Sequence, residues 1–186
     1  MEWEFYVLNY IQDHIRNSQL DVIMPLISML GAGGALWVIM TVICLIVKKY
    51  RPFGKKLAFS MIVDLLVCNA TIKPIVNRIR PYDLNTTVQL IVPPEIDPSF
   101  PSGHTFFAFS AATICFLYDK KLGIIMYLIA ILIAFSRLYL YIHFPTDVLC
   151  GAIFGTLTAL LSWFLYKKFF EEETFIEAEE TNEIEE

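Results

Sequence analysis

Apolar residues run almost unbroken through residues 35–47, 57–72, 105–118, 122–135 and 148–166. With its flanks, each approaches the roughly 20 residues that a helix needs to cross a bilayer. Residues 5–11 and 20–30 are also apolar, but Gln12, Asp13, His14, Arg16 and Asn17 separate them. This pattern predicts an interfacial amphipathic helix, then a sixth span that starts near Leu20 and ends at the turn Gly31-Ala32-Gly33-Gly34. The expected fold is therefore all-α: a polytopic membrane helix bundle of six transmembrane helices with an interfacial N-terminal helix.

Composition narrows the reading further. Of 186 residues, 56% are hydrophobic and 18% charged, with a mean hydropathy of +0.58. A disordered chain is excluded, and too little polar surface remains for a water-soluble globule. No basic groove with interleaved aromatics is present, so nucleic acid is not an expected partner. The formal charge of -5 is misleading, because residues 171–186 hold nine Glu and no Lys or Arg, leaving 14 basic against 10 acidic residues in 1–170. We expect a membrane-embedded domain over residues 1–170 and an acidic, disordered tail over 171–186.

Lys48, Lys49, Arg51, Lys55 and Lys56, then Lys120 and Lys121, then Lys167 and Lys168, fall on one side if the spans alternate. The positive-inside bias makes that side, with the tail, cytoplasmic. Residues 73–103 and 138–146 then lie on the outer side of what would be a multi-pass plasma-membrane protein. Cys44, Cys68, Cys115 and Cys150 are far apart in apolar runs and read as packing residues, with no metal-ligand spacing to the histidines.

Three polar clusters sit at the outer ends of spans, where ionisable groups carry an insertion cost. The first runs from Lys73 to Pro81. On a helix, Lys73 and Arg80 would share a face two turns apart, with Pro81 ending or bending the chain after them; snorkelling to the interface is the competing reading. The second is Pro101-Ser102-Gly103-His104 at the start of an apolar helix. Unpaired N–H groups, a hydroxyl and the helix dipole there favour a phosphate-like anion, although on the tetrapeptide alone Ser102 as an ordinary N-cap is the better reading. His104 adds a proton-transfer group beside that cradle. The third is Ser136-Arg137, then His143 and Asp147, with Pro145 suited to a first helical turn. A carboxylate four residues after a histidine can hold one ring nitrogen and leave the other free as a nucleophile. Asp147 as a simple helix cap remains open on spacing alone.

Together these residues supply cations for phosphoryl oxygens, a nucleophile and a proton donor, the parts that phosphoryl transfer needs. Lys, six residues, Arg-Pro; Pro-Ser-Gly-His; and Ser-Arg, five residues, His, three residues, Asp resembles the three-part signature of the type 2 phosphatidic acid phosphatase superfamily. Every signature position is matched, in order, between Lys73 and Asp147. The size and segment pattern look like the compact bacterial membrane members, of undecaprenyl-diphosphatase or phosphatidylglycerophosphatase type.

The resemblance implies a hydrolase that uses no metal or other cofactor and works through a phosphohistidine. Carried over, it makes His143 the nucleophile, Asp147 its orienter and His104 the acid for the leaving group. Lys73, Arg80 and Arg137 then bind phosphate oxygens, with Ser102 and the Gly103 N–H completing the cradle. A site at the ends of spanning helices implies a lipid phosphate or diphosphate whose tail stays in the bilayer. Undecaprenyl diphosphate ranks first and phosphatidylglycerophosphate second. The alternatives are a lipid phosphotransferase using the same histidine, or a catalytically inactive lipid-binding protein. Arg78 is a candidate contact for a second phosphate. Asp64, in mid-span, is expected in an interhelical hydrogen bond.

Overall fold

The computed structural model describes residues 2–171, so the expected acidic tail lies, apart from Glu171, outside the described residues. Helix α1, Glu2–Tyr10, continues in a wider π turn through Ile11–Ile15. The Asn17 side chain then accepts from the backbone N–H groups of Gln19 and Leu20 at 3.1 and 3.0 Å. That satisfies two donors that would otherwise be orphaned at the start of α2, Leu20–Gly31. A short turn, Ala32–Gly34, leads into α3, Ala35–Ile46.

The expected separate sixth span is not found. Residues 20–46 form one candidate span in place of two, and among the described residues four helices are long and apolar enough to cross a membrane, with one shorter apolar helix. The reason is the turn itself. Gly33 and Gly34 take left-handed φ values of 55° and 71°, after which Ala35 resumes the helix, so the chain is kinked rather than reversed. Helix α2 packs on a later helix, Lys120–Tyr139, and α3 on the next one, Arg51–Asp64, with little contact between the two halves.

Helix α4, Arg51–Asp64, continues through a π segment, Leu65–Ile72, into the single turn α5, Lys73–Val76. Another single turn, α6, Pro81–Leu84, begins at the proline. Irregular chain then leads to α7, Gly103–Tyr118, followed by α8, Lys120–Tyr139, and α9, Pro145–Tyr166. Helix α7 lies between α8 and α9 and is the most buried of the set. Small residues permit this. A Cβ on Gly155 would lie 2.2 Å from the Phe106 carbonyl oxygen, and one on Gly151 2.8 Å from that of Ser102. Gly151, Gly155 and the buried Ala159 thus form a small-residue stripe on α9 against α7.

Large apolar side chains cover the outside: Val22, Leu26 and Met29 on α2, Ile39 and Ile43 on α3, Leu128 and Ile131 on α8, Leu157 and Leu161 on α9. Such a surface requires hydrocarbon rather than water around it. Basic residues gather at one end, where Phe53 stacks on Tyr118 at 4.2 Å and Lys56 lies 4.3 Å over the Trp163 ring. The three polar clusters converge at the other end.

Candidate active site

Four separate stretches of chain build this end. The first does not form the continuous helix expected between Lys73 and Arg80. Asn77 adopts a left-handed φ of 43° after α5, and Arg80 is extended. Asn tolerates that conformation better than other side chains, and the reversal ends the helix after one turn. Lys73 and Arg80 meet through this bend and not through helical periodicity. Pro81 starts a helical turn instead of ending one, as its fixed φ favours.

Lys73, buried, lies over Gly103, where a Cβ would come within 3.9 Å of Nζ. Its ammonium donates to the Pro98 carbonyl at 3.1 Å and to the Asp97 carboxylate. Arg80, 2% exposed, donates from Nη1 to the Ile142 carbonyl at 2.9 Å and to His143 Nε2 at 3.3 Å. Arg137, also 2% exposed, donates from Nη1 to Ser28 Oγ at 2.6 Å and to His104 Nε2 at 3.4 Å. Arg137 thereby ties the end of α8 to the middle of the kinked span.

Ser102 begins α7 but makes no side-chain cap bond; its hydroxyl accepts from Thr105 Oγ1 at 3.1 Å. The N-cap alternative for its hydroxyl therefore falls away. The Asp147 alternatives do not compete, because its carboxylate serves both. Oδ2 accepts from the Phe144 backbone at 2.8 Å, capping α9, and lies 3.6 Å from His143 Nδ1. Pro145 occupies the first turn, as expected. Just before this turn Tyr141 holds a left-handed φ of 61°, a costly conformation for a side chain of this size. Its hydroxyl donates to Asn9 and accepts from Asn85. That conformation precedes the Ile142 carbonyl that Arg80 uses and the His143 ring.

The His143 tautomer follows from these partners. Arginine has donors only, so Nε2 must offer Arg80 a lone pair, and Nδ1 carries the hydrogen toward Asp147 and Ser99 Oγ. Complete burial, and then the charges of Arg137 and Arg80, push the His143 pKa well below its usual value. A neutral imidazole with Nε2 unprotonated is the form that can act as a nucleophile once Arg80 yields the lone pair.

His143 borders a cavity of about 320 Å³ that is also lined by Lys73, Gly103, His104, Glu95 and Asp97 and by Gly31, Gly33 and Gly34 of the kink. A second lobe of about 440 Å³ shares Gly33, Glu95 and His104, and adds Arg137, Pro25 and Met29. Of the eight residues expected of the site, Lys73, Gly103, His104 and His143 line the first lobe and Arg137 the second, while Arg80 and Asp147 flank the His143 ring and Ser102 precedes Gly103 at the start of α7. The glycine kink is what leaves room: a Cβ on Gly31 would lie 3.0 Å from the His104 ring.

A family model for the PAP2 superfamily matches residues 53–171. The chain belongs to that superfamily. Among its relatives, the undecaprenyl-diphosphatase of Sulfolobus acidocaldarius is 30% identical over 162 residues, covering 85% of this chain and 74% of the relative. Phosphatidylglycerophosphatase B of Bacillus subtilis is 34% identical over 170 residues, covering 84% and 78%. The crystal structure of Aquifex aeolicus LpxE superposes with a TM-score of 0.72 at 30% identity, covering 87% of this chain and 93% of that one.

Several residues that shape this PAP2 site lie outside the signature. Glu95 and Asp97, in the irregular segment before α7, reach the three cations: Glu95 pairs with Arg137 and, at 2.7 Å, with Arg80, and Asp97 pairs with Lys73 and, at 2.8 Å, with Arg80. Glu95 Oε2 is 3.9 Å from His143 Nε2. Burial works to raise the Glu95 pKa, but Arg137 and Arg80 overcome it and hold it down to about 2. Two carboxylates thus stand where the cations would receive phosphate oxygens. Only three acidic side chains lie between Arg80 and Ser102, which was a usable signal; the excess of cations in the signature called for counterions.

Ser99 also lies outside the signature, although its hydroxyl donates to Asp147 Oδ2 at 2.5 Å. Arg78, the candidate for a second phosphate, is instead turned to Asp147 Oδ1 at 2.5 Å and to Glu4 at 2.8 Å. Asp64 is buried facing Ser110 of α7 and Thr158 of α9, in keeping with an interhelical role.

Proposed function

We propose that this PAP2 chain hydrolyses a lipid phosphate or diphosphate through a phosphohistidine, without a metal, at the extracytoplasmic face of the membrane. The observation that carries this reading is the place of His143, whose unprotonated Nε2 meets Arg80 at 3.3 Å and whose ring borders a cavity lined by Lys73, His104 and Gly103 at the N-terminus of α7, with Arg137 on the adjoining lobe. Positive charge fixed around a phosphoryl group, with a nucleophile on one side, lowers the barrier chiefly by positioning and electrostatics.

Substrate phosphate displaces Glu95 and Asp97 from the cations. Nε2 of His143 attacks phosphorus, the bond from phosphorus to the leaving oxygen breaks, and His104 gives that oxygen a proton. Asp147 holds the resulting positive ring at Nδ1. Water then attacks phosphorus while His104 takes its proton, the phosphorus–nitrogen bond breaks with its electron pair returning to Nε2, and orthophosphate leaves. Lys73, Arg80, Arg137, Ser102 and the Gly103 N–H hold the phosphoryl oxygens throughout.

An amphipathic substrate fits a cavity that borders the kinked span, whose outer face is apolar. Undecaprenyl diphosphate and phosphatidylglycerophosphate are the first choices, in line with the activities named for the relatives. The basic residues at the opposite end support a cytoplasmic placement for that end and an outward-facing site. The test is orthophosphate release by the purified protein from a panel of lipid mono- and diphosphates with EDTA throughout. Release from at least one lipid is expected, and a strict need for magnesium or zinc overturns the mechanism. Phosphate that appears only when an acceptor other than water is added would make the chain a transferase.

A further inference from the structure

Helix α1 carries no part of the superfamily signature, yet one of its side chains enters the site's supporting shell. Glu4 is 4% exposed and faces inward with Leu8, while Trp3, Tyr6 and Tyr10 remain exposed on the other side. Its carboxylate is used at both oxygens. Oε2 accepts from Arg78 Nη2 at 2.8 Å, and Oε1 accepts from Thr146 Oγ1 at 2.5 Å. Thr146 Oγ1 in turn accepts from Arg78 Nη1 at 2.7 Å, closing a ring of three side chains. The same Nη1 donates to Asp147 Oδ1 at 2.5 Å, and the guanidinium lies 4.1 Å over the Phe144 ring.

We propose that Glu4 and Arg78 form a positioning pair for Asp147, so that α1 sets the geometry of the nucleophilic histidine from outside the signature. This rests on the reading of His143 as nucleophile. Asp147 is fully buried and must hold its charge in one orientation. Arg78 takes Oδ1, which leaves Oδ2 for the Phe144 N–H, the Ser99 hydroxyl and His143 Nδ1. A planar guanidinium with two forks is suited to this, since it binds two carboxylates in fixed directions at once. Glu4 and Thr146 fix the guanidinium on its far side. Without them Arg78 would swing on its long side chain, and the carboxylate would lose one of its two anchored oxygens.

A purely structural role would be to fasten α1 to the bundle. Other contacts already do this: the Phe5 ring meets Phe144 edge-on at 5.3 Å, Asn9 accepts from Tyr141 at 2.9 Å, and Gln12 donates to the Tyr139 carbonyl at 2.9 Å. Glu4→Gln keeps the shape and part of the hydrogen bonding, so the helix should stay in place while the charge on Arg78's far side is lost.

The test is steady-state hydrolysis of undecaprenyl diphosphate and phosphatidylglycerophosphate by the full chain in detergent, with the unfolding midpoint measured alongside. Glu4→Gln is expected to lower kcat about tenfold with KM within about twofold, and Arg78→Met to lower kcat about 100-fold, with Arg78→Lys in between. The double variant Glu4→Gln with Arg78→Met should be no slower than Arg78→Met alone, since both act through one contact. Wild-type kcat in Glu4→Gln, a rise in KM alone, or multiplicative losses in the double variant would overturn the pair. His143→Ala separates the two levels. If it still turns over, the functional reading itself fails; if it is inactive while Glu4→Gln is unimpaired, only this inference fails.

Discussion

Arg80 donates to the Nε2 atom of His143 at 3.3 Å, so a side chain that would bind phosphate also fixes the lone pair that would attack it. The guanidinium is itself held by the Ile142 carbonyl, one residue before that histidine, and by the Asp97 backbone carbonyl at 2.9 Å each. The proposed nucleophile and one cation of the proposed anion site are therefore held against each other by the same backbone. Little reorganisation remains for the chemical step, which is the condition under which fixed dipoles and charges contribute most.

His143→Ala should abolish turnover and leave the fold intact in detergent, because the ring's nearest partners, Arg80, Ser99 and Asp147, each keep other bonds. Asp147→Asn should lower kcat by roughly 10²–10⁴-fold through loss of orientation and of charge beside the imidazolium. The check is orthophosphate release together with the unfolding midpoint. Full activity in either variant would remove that residue from the mechanism.

Glu95 stands 3.9 Å from the nucleophilic nitrogen with its charge on Arg80 and Arg137, so any phosphate must compete with it. Glu95→Gln removes the charge and keeps the size. We expect KM to fall about three- to tenfold with kcat little changed, since only ground-state competition is relieved. A large fall in kcat instead would mean that Glu95 takes part in the reaction after substrate has bound.

How far the chain could be read beforehand differs between fold and site. The apolar runs mark helices α3, α4, α7, α8 and α9, and the signature marks eight candidate residues that the fold brings to one end of the bundle, because chemistry fixes residue type at those positions. The Gly33-Gly34 turn predicts a reversal where the chain is only kinked, since a glycine-rich turn looks the same in sequence whether the next helix continues or returns. Only the packing of α2 on α8 and α3 on α4 decides it. Lys73 and Arg80 were read as helical neighbours, and the left-handed Asn77 brings them together by another path. Glu4, 74 residues from Arg78, gave no local signal at all. Contacts of that range are set by tertiary packing and are invisible to periodicity.

Stability should fall on acidification through the same carboxylate. Glu95 has its pKa lowered from 4.5 to about 2, so the folded state holds its proton less tightly than the unfolded chain. The stabilisation is present above about pH 4.5 and is lost as pH falls toward 2. An unfolding midpoint that declines over that window, with a shallower decline in Glu95→Gln, is the expected result. Identical pH profiles for the two proteins would show that the pairing with Arg80 and Arg137 contributes nothing to the fold.

Asp147 and His143 enter with the start of α9, and Gly103 and His104 with the start of α7, so the cavity depends on how closely those helices approach. Ser102 N–H donates to the Asp147 carbonyl at 3.0 Å, locking the two starts together. Below this, Gly155 meets the backbone of Phe106, where a Cβ would sit 2.2 Å from the carbonyl oxygen and 2.9 Å from its carbon. Backbone cannot rotate away as a side chain can, so Gly155→Ala must push the helices apart or bend one of them. Overpacking of this kind costs about 1–3 kcal/mol. We expect a lower unfolding midpoint, and a fall in kcat larger than that of Gly33→Ala, whose added Cβ meets nothing within 4 Å and costs only the strain of its positive φ. Equal activity in the two glycine variants would show that the α7–α9 spacing does not govern the site.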